Sequence, residues 1–385
     1  MKTNSPPRPS VRRAPLLWLL LMFCVGAPPA HGQLNQLPVT TIFLIVMENL
    51  SWSAVRGNPA APYINHTLLP MASYCTQYYS SPTPHPSEPN YIWLESGTNF
   101  GLTANGDPYA DHINSTNHLV SLLNNAGLDW RAYQEDISGL VVPLDPEGGY
   151  VPRHNPFVFF DDVTGTNNAN YPYGIAHIRP FTELAADLAN NNVAAYNFIT
   201  PDLCDDMHDA CPPTYNALAQ GDAWLAAQIP MILNSATYQA GGVIFITWDE
   251  SSLFESAPIG MIVLSPFARG GGYAGAQHYT HSSTLRTIQE FLGVTPFLGD
   301  AANAPDLIDL FAVLRVAGGP GPANAGFQLT VTGAVPGMHQ LIQRSTDLKN
   351  WTTLADWVAD AANYHFLDRW HPTPVGHYYR VVQTP

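Results

Sequence analysis

The chain has 385 residues, of which 46% are hydrophobic, and 30 acidic residues outnumber 15 basic ones to give a formal net charge of −15. A chain of this length and composition can bury one large core and a smaller one, which excludes wholesale disorder. Its negative charge repels nucleic acids and anionic membranes at long range, so we expect no nucleic-acid partner.

The first 32 residues are typical of a secretory signal peptide. Three arginines precede the apolar run APLLWLLLMFCVGA, and small residues follow in Ala30-His31-Gly32. The run is too short to span a membrane, so we expect a cleaved signal, a secreted or periplasmic protein and no stable membrane insertion. Cleavage would leave Lys349 as the sole lysine. An anion bound within residues 33–316 would then need arginine, backbone amides or a metal ion.

Runs of apolar β-forming residues that end in polar groups predict buried, parallel strands. They cover residues 40–49, 193–200, 241–250 and 259–266. Helical patterns with start and stop signals cover residues 116–127, 181–191, 221–233 and 282–293. Strands that alternate with helices predict a three-layer α/β/α sandwich with a mostly parallel central sheet over residues 33–316.

The C-terminal part of the chain has a different pattern. Residues 317–325, AGGPGPANA, have the composition of a Gly/Pro linker. Residues 326–385 contain short alternating segments, which predict a small antiparallel β module. We interpret its Trp351, Trp357 and Trp370 as core residues. If they are exposed, the module could contact carbohydrate or another surface.

Three cysteines remain after the signal peptide. Cys204 and Cys211 would close a short loop, and export permits disulfides, so we expect this pair to be joined and Cys75 to be free. No CxxC spacing occurs in the sequence, which disfavours a thiolate zinc site.

Side chains that bind metals follow several predicted strands. A carboxylate at a strand end is often only a helix cap, and a single histidine is often structural. Here, however, several loops would bring such groups to one edge of one sheet. Oxygen ligands with histidine suit a divalent cation such as zinc, magnesium, calcium or manganese. The groups are Glu48 and Asn49, Asp249 and Glu250, His278 and His281, and the loop that contains Asp202, Asp205, Asp206, His208 and Asp209.

Ser87 stands where the proline-rich stretch TPHPSEPN becomes a predicted helix. Its simplest role would be that of an N-cap. Its neighbours His85 and Asn90 favour a nucleophile beside backbone amides that attract anions. A metal or a base would take the hydroxyl proton. Asn90 would hydrogen-bond a phosphoryl oxygen, and His85 or His208 would protonate the leaving alcohol.

Seven segments, in this order, resemble the phosphoesterase family of secreted acid phosphatases and bacterial phospholipases C, which belongs to the alkaline-phosphatase-like superfamily. The segments span about residues 38–300 and read MENLSW, HPSEPNYIWLESG, WRAYQED, RHNPFVFFDD, ITPDLCDDMHD, TWDE and HYTHSSTLRTIQEFLG. The resemblance implies that Ser87 is a nucleophile that forms a phosphoryl-enzyme intermediate. His85 and His208 match histidines of the family's site.

The resemblance also implies a set of metal ligands, namely Glu48, Asn49, Asp249, Glu250 and His281, with Asp202 as a further candidate. Asp202 and His208 lie six residues apart, whereas the two-zinc members of the superfamily use an Asp-x-x-x-His pair. This difference speaks against a second metal. Arg153 and Arg131 are candidate phosphate clamps, with a surface salt bridge as the equal alternative for each. Arg286 is expected to pair with an acid.

Two departures from the phospholipase C pattern favour the acid-phosphatase branch. The chain has Glu-Asn-Leu-Ser-Trp-Ser after the first strand, and TWDESSL where phospholipases tend to have TYDENGG. A sulfatase is disfavoured because its signature needs an arginine where Tyr91 stands.

The leading hypothesis is therefore an exported, metal-dependent phosphomonoesterase with a serine nucleophile and a phosphoester substrate. The alternatives are a phospholipase C acting on phosphodiesters and, from another class, a non-catalytic binding protein on a hydrolase scaffold.

Overall fold

The computed structural model describes residues 34, 37–81, 85–252, 255–313, 315–322, 326–334, 337–361, 363–369 and 377–384. The predicted signal peptide and Trp370 lie outside these residues. The described residues belong to one compact unit, Gly32–Pro385. Within them, no helix has both the length and the apolar character that a membrane span requires.

An eight-stranded sheet forms the centre of the fold. Its strands have the order β5-β4-β6-β1-β7-β8-β2-β9, in which β5, β4, β6, β1 and β7 run parallel. Two further strands, β3 and β10, form a separate pair. The ten strands are β1 (Thr41–Met47), β2 (Ser73–Cys75), β3 (Tyr78–Tyr79), β4 (Trp130–Gln134), β5 (Ile178–Pro180), β6 (Tyr196–Thr200), β7 (Gly242–Trp248), β8 (Met261–Leu264), β9 (Tyr273–Gly275) and β10 (Tyr279–Thr280).

The two central strands, β1 and β7, explain the continuous apolar runs in the sequence. They pair in parallel over their whole length, and every residue of both is buried. A strand that is covered on both faces has no solvent side, so its residues do not alternate between apolar and polar. Polar residues return only where the strands end, at Glu48 and Asp249.

The prediction of a parallel strand at residues 259–266 is wrong in direction. β8 runs antiparallel to β7, with Ile244 opposite Leu264. The described part of the connection between β7 and β8, residues 249–252 and 255–260, contains no helix. Because a parallel crossover usually needs a helix, the chain turns back and β8 pairs in the opposite direction.

The helices fall into two groups that accompany the sheet. Helices α3, α4 and α10 pack against one another, whereas α8 and α9 pack together and α9 contacts β7. This arrangement confirms the predicted α/β/α class with a mostly parallel sheet. The helices are α1 (Trp52–Val55), α2 (Leu69–Met71), α3 (Ser87–Ser96), α4 (Leu119–Asn125), α5 (Asp161–Thr164), α6 (Pro172–His177), α7 (Leu184–Ala189), α8 (Ala217–Leu233), α9 (Ala236–Gln239) and α10 (His281–Leu292). A π-helical turn covers Ile64–Leu68, and short 3-10 helices cover Pro152–His154, Pro156–Phe159, Phe181–Glu183, Gly299–Ala302 and Ile308–Leu310.

Helix α3 is almost completely enclosed. Nine of its residues are buried, from Ser87 to Ser96, and only Trp93 is partly exposed. The helix ends at Gly97, whose φ of 68° lies in the left-handed region that glycine adopts without strain. A Cβ at this position would also lie 2.5 Å from the carbonyl oxygen of Leu298. The end of α3 is thus fixed by a residue that has no side chain.

The C-terminal module consists of two three-stranded antiparallel sheets. Leu329, Val331 and Ile342 form its small core, which fits the expected β module. Trp357 is half-buried and packs against this core, and Arg380 lies over the ring of Trp351. The strands are β11 (Arg315–Pro320), β12 (Phe327–Thr332), β13 (His339–Ser345), β14 (Thr352–Val358), β15 (Asn363–Asp368) and β16 (Tyr378–Thr384).

The segment predicted as a linker is partly structured. Residues 317–320 belong to β11, which pairs with β12. A Cβ on Gly318 would lie 2.5 Å from the ring of Phe327, so the glycine allows the aromatic ring to cover the strand. The glycine at position 318 thus allows close packing within a strand, whereas the Gly/Pro composition had predicted a linker.

Candidate active site

Ser87 and Glu48 meet at the carboxyl end of β1. Ser87 Oγ donates a hydrogen bond to Glu48 Oε2 over 3.1 Å. Ser87 is 3% exposed and Glu48 is fully buried. Pro86 is the N-cap residue of α3, so Ser87 is the first residue of the helix and not its cap. The hydroxyl therefore faces carboxylates instead of the helix end.

Four buried carboxylates lie close together around Glu48, the partner of this hydroxyl, namely those of Glu48, Asp206, Asp249 and Glu250. Burial raises the pKa of Glu48 well above its usual value, and repulsion from Asp249 and Asp206 raises it further. Burial and the charge of Glu250 likewise raise the pKa of Asp249. Four like charges in one buried place are unfavourable unless protons or a cation neutralise them.

Backbone N–H groups bind the carboxylate of Asp249 where β1 and β7 end. The N–H of Asn49 donates to Asp249 Oδ1 over 3.1 Å, and the N–H of Glu250 donates to the same oxygen over 2.6 Å. Asn49 has a φ of 48°, in the left-handed region that asparagine tolerates better than most residues. The chain therefore turns sharply after Glu48, and this turn keeps the backbone N–H of Asn49 beside Asp249.

Glu250 is fixed by two neighbours of Ser87. His85 Nδ1 lies 3.1 Å from Glu250 Oε1, and Asn90 Nδ2 donates to Glu250 Oε2 over 3.2 Å. Asn90 Nδ2 also donates to the carbonyl oxygen of Pro86, so both of its N–H groups are used. Burial raises the pKa of Glu250 to about 8, although the hydrogen bond from Asn90 lowers it. His85 and Asn90 thus connect the loop before α3 to the end of β7.

The site also contains His154, a residue that the sequence patterns do not single out. Its Nε2 lies 3.3 Å from Glu48 Oε1 and its Nδ1 lies 3.2 Å from Asp206 Oδ2. The ring stacks on Tyr91, with centroids 5.2 Å apart. Burial lowers the pKa of His154 well below its usual value, and the charge of Arg153 lowers it further. The only sequence signal was the segment RHNPFVFFDD, which resembles the family but does not point to one residue.

His208 lies beside His154, with ring centroids 5.7 Å apart. Single ligand atoms of Glu48, His154 and His208 lie within 4.8 Å of one another, a spacing that a metal ion can bridge. Asp209 Oδ1 lies 2.7 Å from His208 Nδ1. Nε2 is therefore the ring nitrogen of His208 that does not contact Asp209. The side chain is 27% exposed, so it lies at the border of the site.

A disulfide closes the loop that carries Asp206 and His208. Cys204 and Cys211 are joined, which confirms the expected pair, and Cys75 is free and buried. Asp206 Oδ1 accepts a hydrogen bond from the N–H of His208, which tightens the loop further. The covalent ring limits how far these side chains can move from Glu48 and His154.

His281 lies beneath the end of β7. It is fully buried, its Nε2 lies 3.2 Å from the carbonyl oxygen of Trp248, and its Nδ1 has no hydrogen-bond partner among the described residues. Burial lowers its pKa to about 4, so the ring is neutral near pH 7. His281 is thus a neutral imidazole that lies beside Trp248, the residue before Asp249.

Asp202 belongs to a different group from the four carboxylates. Its Oδ1 accepts hydrogen bonds from the N–H groups of Cys204 and Asp205, as a capping residue does. Together with Glu135 and Asp205 it forms a second set of oxygens within 4.8 Å of one another. In this loop, Asp206 is the residue that faces Glu48 and His154.

The three arginines considered from the sequence have different surroundings. Arg131 forms an ion pair with Asp187 away from Ser87, so the salt-bridge alternative is correct for it. Arg286 pairs with Glu290 over 2.9 Å, as expected. Arg153 is half-buried beside His154 and has no carboxylate partner among the described residues. Its positive charge is therefore felt by His154 and is not neutralised by a described carboxylate.

The donor set fits a divalent cation. Asp249 Oδ2 is buried and accepts no hydrogen bond in the described part of the chain, while Glu48 Oε1 and Asp206 Oδ2 have only the ring nitrogens of His154 beside them, without a hydrogen bond. Oxygen atoms left in this state carry an unfavourable desolvation that a bound cation would relieve. The acids gathered here, Glu48, Asp206, Asp249 and Glu250, would supply the oxygen ligands of such an ion.

Comparison with known proteins places the chain in a family. The model described as the Phosphoesterase family matches residues 59–295. A phosphatidylinositol-3-phosphatase of Mycobacterium tuberculosis (strain ATCC 25618 / H37Rv) is 30% identical over 294 residues, which cover 76% of this chain and 90% of that protein. An acid phosphatase of Aspergillus fumigatus is 26% identical over 69% of this chain and 55% of that protein. An acid phosphatase of Aspergillus niger is 28% identical over 56% of this chain and 50% of that protein.

Solved structures with a similar chain path include human ectonucleotide pyrophosphatase/phosphodiesterase 5. It has a TM-score of 0.44 and 12% identity, and the match covers 70% of this chain and 99% of that one. An alkaline phosphatase from the Antarctic bacterium TAB5 has a TM-score of 0.41 and 10% identity, with 66% and 98% covered. These scores are too low to add to the assignment, which rests on the family match and on the relatives. The chain belongs to the phosphoesterase family, and the enzyme class predicted from its sequence, a phosphoric-ester hydrolase, is confirmed.

Proposed function

We propose that the protein is an exported, metal-dependent phosphomonoesterase in which Ser87 is the nucleophile. The observation that carries this proposal is the hydrogen bond from Ser87 Oγ to Glu48 Oε2, inside a group of four buried carboxylates at the carboxyl end of the sheet. A divalent cation bound to these carboxylates would supply the positive charge that stabilises both the alkoxide of Ser87 and the phosphoryl oxygens.

In the proposed reaction, the Ser87 Oγ–P bond forms as the P–O bond to the leaving alcohol breaks. The hydroxyl proton points to Glu48 Oε2, which can accept it. The leaving oxygen takes a proton from His85 or His208, both of which are partly exposed at the border of the site. Water then hydrolyses the phosphoserine and restores the hydroxyl.

Two side chains are the proposed phosphate contacts. Arg153 has a planar guanidinium that matches two phosphate oxygens, and no carboxylate among the described residues occupies it. Asn90 would exchange one of its two present hydrogen bonds for a phosphoryl oxygen. Glu48, Asn49, Asp249, Glu250 and His281 are the proposed ligands of the ion, and His281 offers a buried Nδ1 that has no described partner. Asp202 would take part in cation binding through its separate group with Glu135 and Asp205.

A phosphate monoester is preferred over a diester because the relatives are phosphatases. The relative that this chain covers to 90% bears the name phosphatidylinositol-3-phosphatase, so a lipid phosphomonoester is a second candidate substrate. Export is supported by the Cys204–Cys211 disulfide, which suits an oxidising compartment. N-terminal sequencing of protein recovered outside the cytoplasm should begin near Gln33.

The test compares Ser87→Ala with Ser96→Ala, a second serine of the same buried helix whose Oγ bonds only to nearby carbonyl oxygens. Both variants should fold. Only Ser87→Ala should lose turnover of a chromogenic phosphomonoester, and elemental analysis should find a divalent metal in the wild type. Full activity in Ser87→Ala would refute the serine mechanism. Preferential hydrolysis of phosphatidylcholine would favour a phospholipase C, and no turnover of any phosphoester would favour a binding protein.

A further inference from the structure

A second buried ionic cluster lies at the other end of the helix that carries Ser87. Glu95, in the last turn of α3, is fully buried, and its Oε1 lies 3.1 Å from His118 Nδ1. The opposite nitrogen of the same ring, Nε2, lies 3.0 Å from Asp162 Oδ1 and 3.1 Å from Oδ2. His118 is itself fully buried and stacks on Phe160, with ring centroids 3.9 Å apart.

The contacts of this ring favour protons on both of its nitrogens. A neutral imidazole carries one proton, whereas both nitrogens of His118 face a carboxylate. Burial alone would lower the pKa of His118, but hydrogen bonds from the ring to Asp162 and Glu95 raise it to about 9. The imidazolium thus joins α3 to α5 through two charge-assisted hydrogen bonds.

The same carboxylate also joins α3 to α4. The N–H of Val120, in the first turn of α4, donates to Glu95 Oε1 over 2.8 Å. In addition, Ser121 Oγ lies 2.9 Å from His118 Nε2 and donates to Asp162. Glu95 is therefore a capping group for α4, and His118 holds that group in place.

Two tyrosines complete the ionisable surroundings of the cluster. The charge of Glu95 raises the pKa of Tyr196 beyond the effect of burial, and Tyr173 experiences the charges of Asp162 and Glu95 in the same sense. Both phenols are neutral below pH 10. Burial also raises the pKa of Glu95, while the hydrogen bond and charge of His118 lower it. His118 is the group of this cluster whose pKa, about 9, lies between pH 7 and pH 10.

We propose that His118 is a positioning residue for the reaction, which fixes the position of α3 along its axis and thereby the place of Ser87 Oγ against Glu48. Eight residues separate Ser87 from Glu95, a distance of about 12 Å along a helix. α3 is held at its start by Ser87–Glu48, in its middle by Trp93 Nε1–Ser282 Oγ over 2.8 Å, and at its end by Glu95–His118. A displacement of about 1 Å at a nucleophile can lower a rate by about a hundredfold, so a loosened end of α3 has a catalytic consequence.

This inference rests on the proposed role of Ser87, and its test uses a different readout. His118→Gln keeps a polar side chain but cannot bridge two carboxylates with a positive charge. At pH 6 we expect its kcat to fall about tenfold to a hundredfold, with KM changed less than threefold. His177→Gln is the matched control, because His177 stacks on Trp130 and has no bond to α3.

The pH dependence separates positioning from a merely structural role. In the wild type, His118 loses its proton above about pH 9, so the ratio of wild-type to His118→Gln kcat should shrink toward one there. Ser87→Ala, by contrast, should lose turnover at every pH. A folded His118→Gln protein with a lowered Tm but unchanged kcat would overturn the proposal, as would a ratio that does not depend on pH.

If His118→Gln does not fold, Glu95→Gln decides the matter. The amide oxygen of the new side chain can still accept a hydrogen bond from the N–H of Val120. The substitution removes the negative charge that holds His118. A reduced kcat at pH 6 in this variant would support the proposal. Wild-type kcat with a wild-type pH profile would overturn it.

Discussion

Ser87 Oγ and Glu48 Oε2 are 3.1 Å apart, although 39 residues separate them in the sequence. Glu48 is placed by the end of a fully buried strand and Ser87 by the start of an almost fully buried helix. Two buried elements thus fix the relationship between hydroxyl and carboxylate.

Glu48→Gln should lose activity yet keep or raise the stability of the metal-free protein. The carboxylate of Glu48 is buried next to Asp249 and Asp206, so an amide of the same shape removes like-charge repulsion. We expect turnover to fall at least about a hundredfold, while the Tm in EDTA stays equal or rises by a few degrees. Asp145→Asn, which changes an exposed carboxylate, is the control. A clearly lower Tm for Glu48→Gln in EDTA would show that its charge stabilises the fold.

The metal-free protein should become less stable as the pH rises. Burial raises the pKa of Glu250 to about 8, above the value near 4.3 of an unfolded glutamate. Between these two values the folded state binds more protons than the unfolded state, so the free energy of unfolding decreases with pH. Thermal unfolding in EDTA should show a Tm that falls from about pH 4.5 to about pH 8. Glu250→Gln should flatten this slope, and an unchanged slope would contradict the assignment.

Divalent cations should reverse that pH trend, because ionised carboxylates bind a cation more strongly than protonated ones. Ligands that bind only the folded state raise its stability. The Tm difference between protein with metal and protein in EDTA should therefore grow from pH 5 to pH 8. A difference that is absent at every pH, with each of zinc, magnesium, calcium and manganese, would remove the proposed cation from the mechanism.

Removal of the Cys204–Cys211 disulfide should affect both stability and activity. A loop of this size contributes about 2–3 kcal/mol through the entropy of the unfolded chain. Because the ring carries Asp206 and His208, we expect Cys204→Ser/Cys211→Ser to lower kcat about tenfold as well. Cys75→Ala is the control, since Cys75 is buried in β2 outside this loop. Unchanged kcat in the double variant would mean that the loop keeps its shape without the covalent link.

Arg153 and Arg131 should behave differently when each is replaced by alanine. Arg153 stands beside His154 without a described carboxylate partner, so Arg153→Ala should raise the KM for a phosphomonoester about tenfold, and Arg153→Lys should restore part of the loss. Arg131 pairs with Asp187, so Arg131→Ala should change the Tm and leave KM unaltered. Equal effects of both alanine variants on KM would argue against a phosphate contact at Arg153.

Much of the fold was predictable because the buried strands carry a strong pattern. The apolar runs of β1 and β7 end in polar residues, and this change of pattern is enough to locate Glu48 and Asp249 in the sequence. The direction of β8 was not predictable, since an apolar run of four residues carries no information about the orientation of its partner. Pairing of the glycine-rich β11 was also missed, because glycine usually indicates a break.

The site was only partly predictable for a different reason. His154 lies in a short 3-10 helix without periodicity, and its role depends on packing against Tyr91 from a distant segment. In the segment that follows β6, several acids have equal chemistry, and only the folded chain distinguishes Asp206, which faces His154, from Asp202, which caps backbone N–H groups. Sequence patterns thus identify which residue types gather at a strand end, whereas tertiary contacts decide which of them touch.

The most direct test of the central claim is to map phosphate on the protein during turnover. Wild-type enzyme is mixed with a phosphomonoester, quenched in acid within milliseconds, digested and analysed by mass spectrometry. The account predicts phosphate on Ser87, and no phosphopeptide in Ser87→Ala. Phosphate on a histidine, or turnover by the wild type without any phosphoserine at this position, would contradict it.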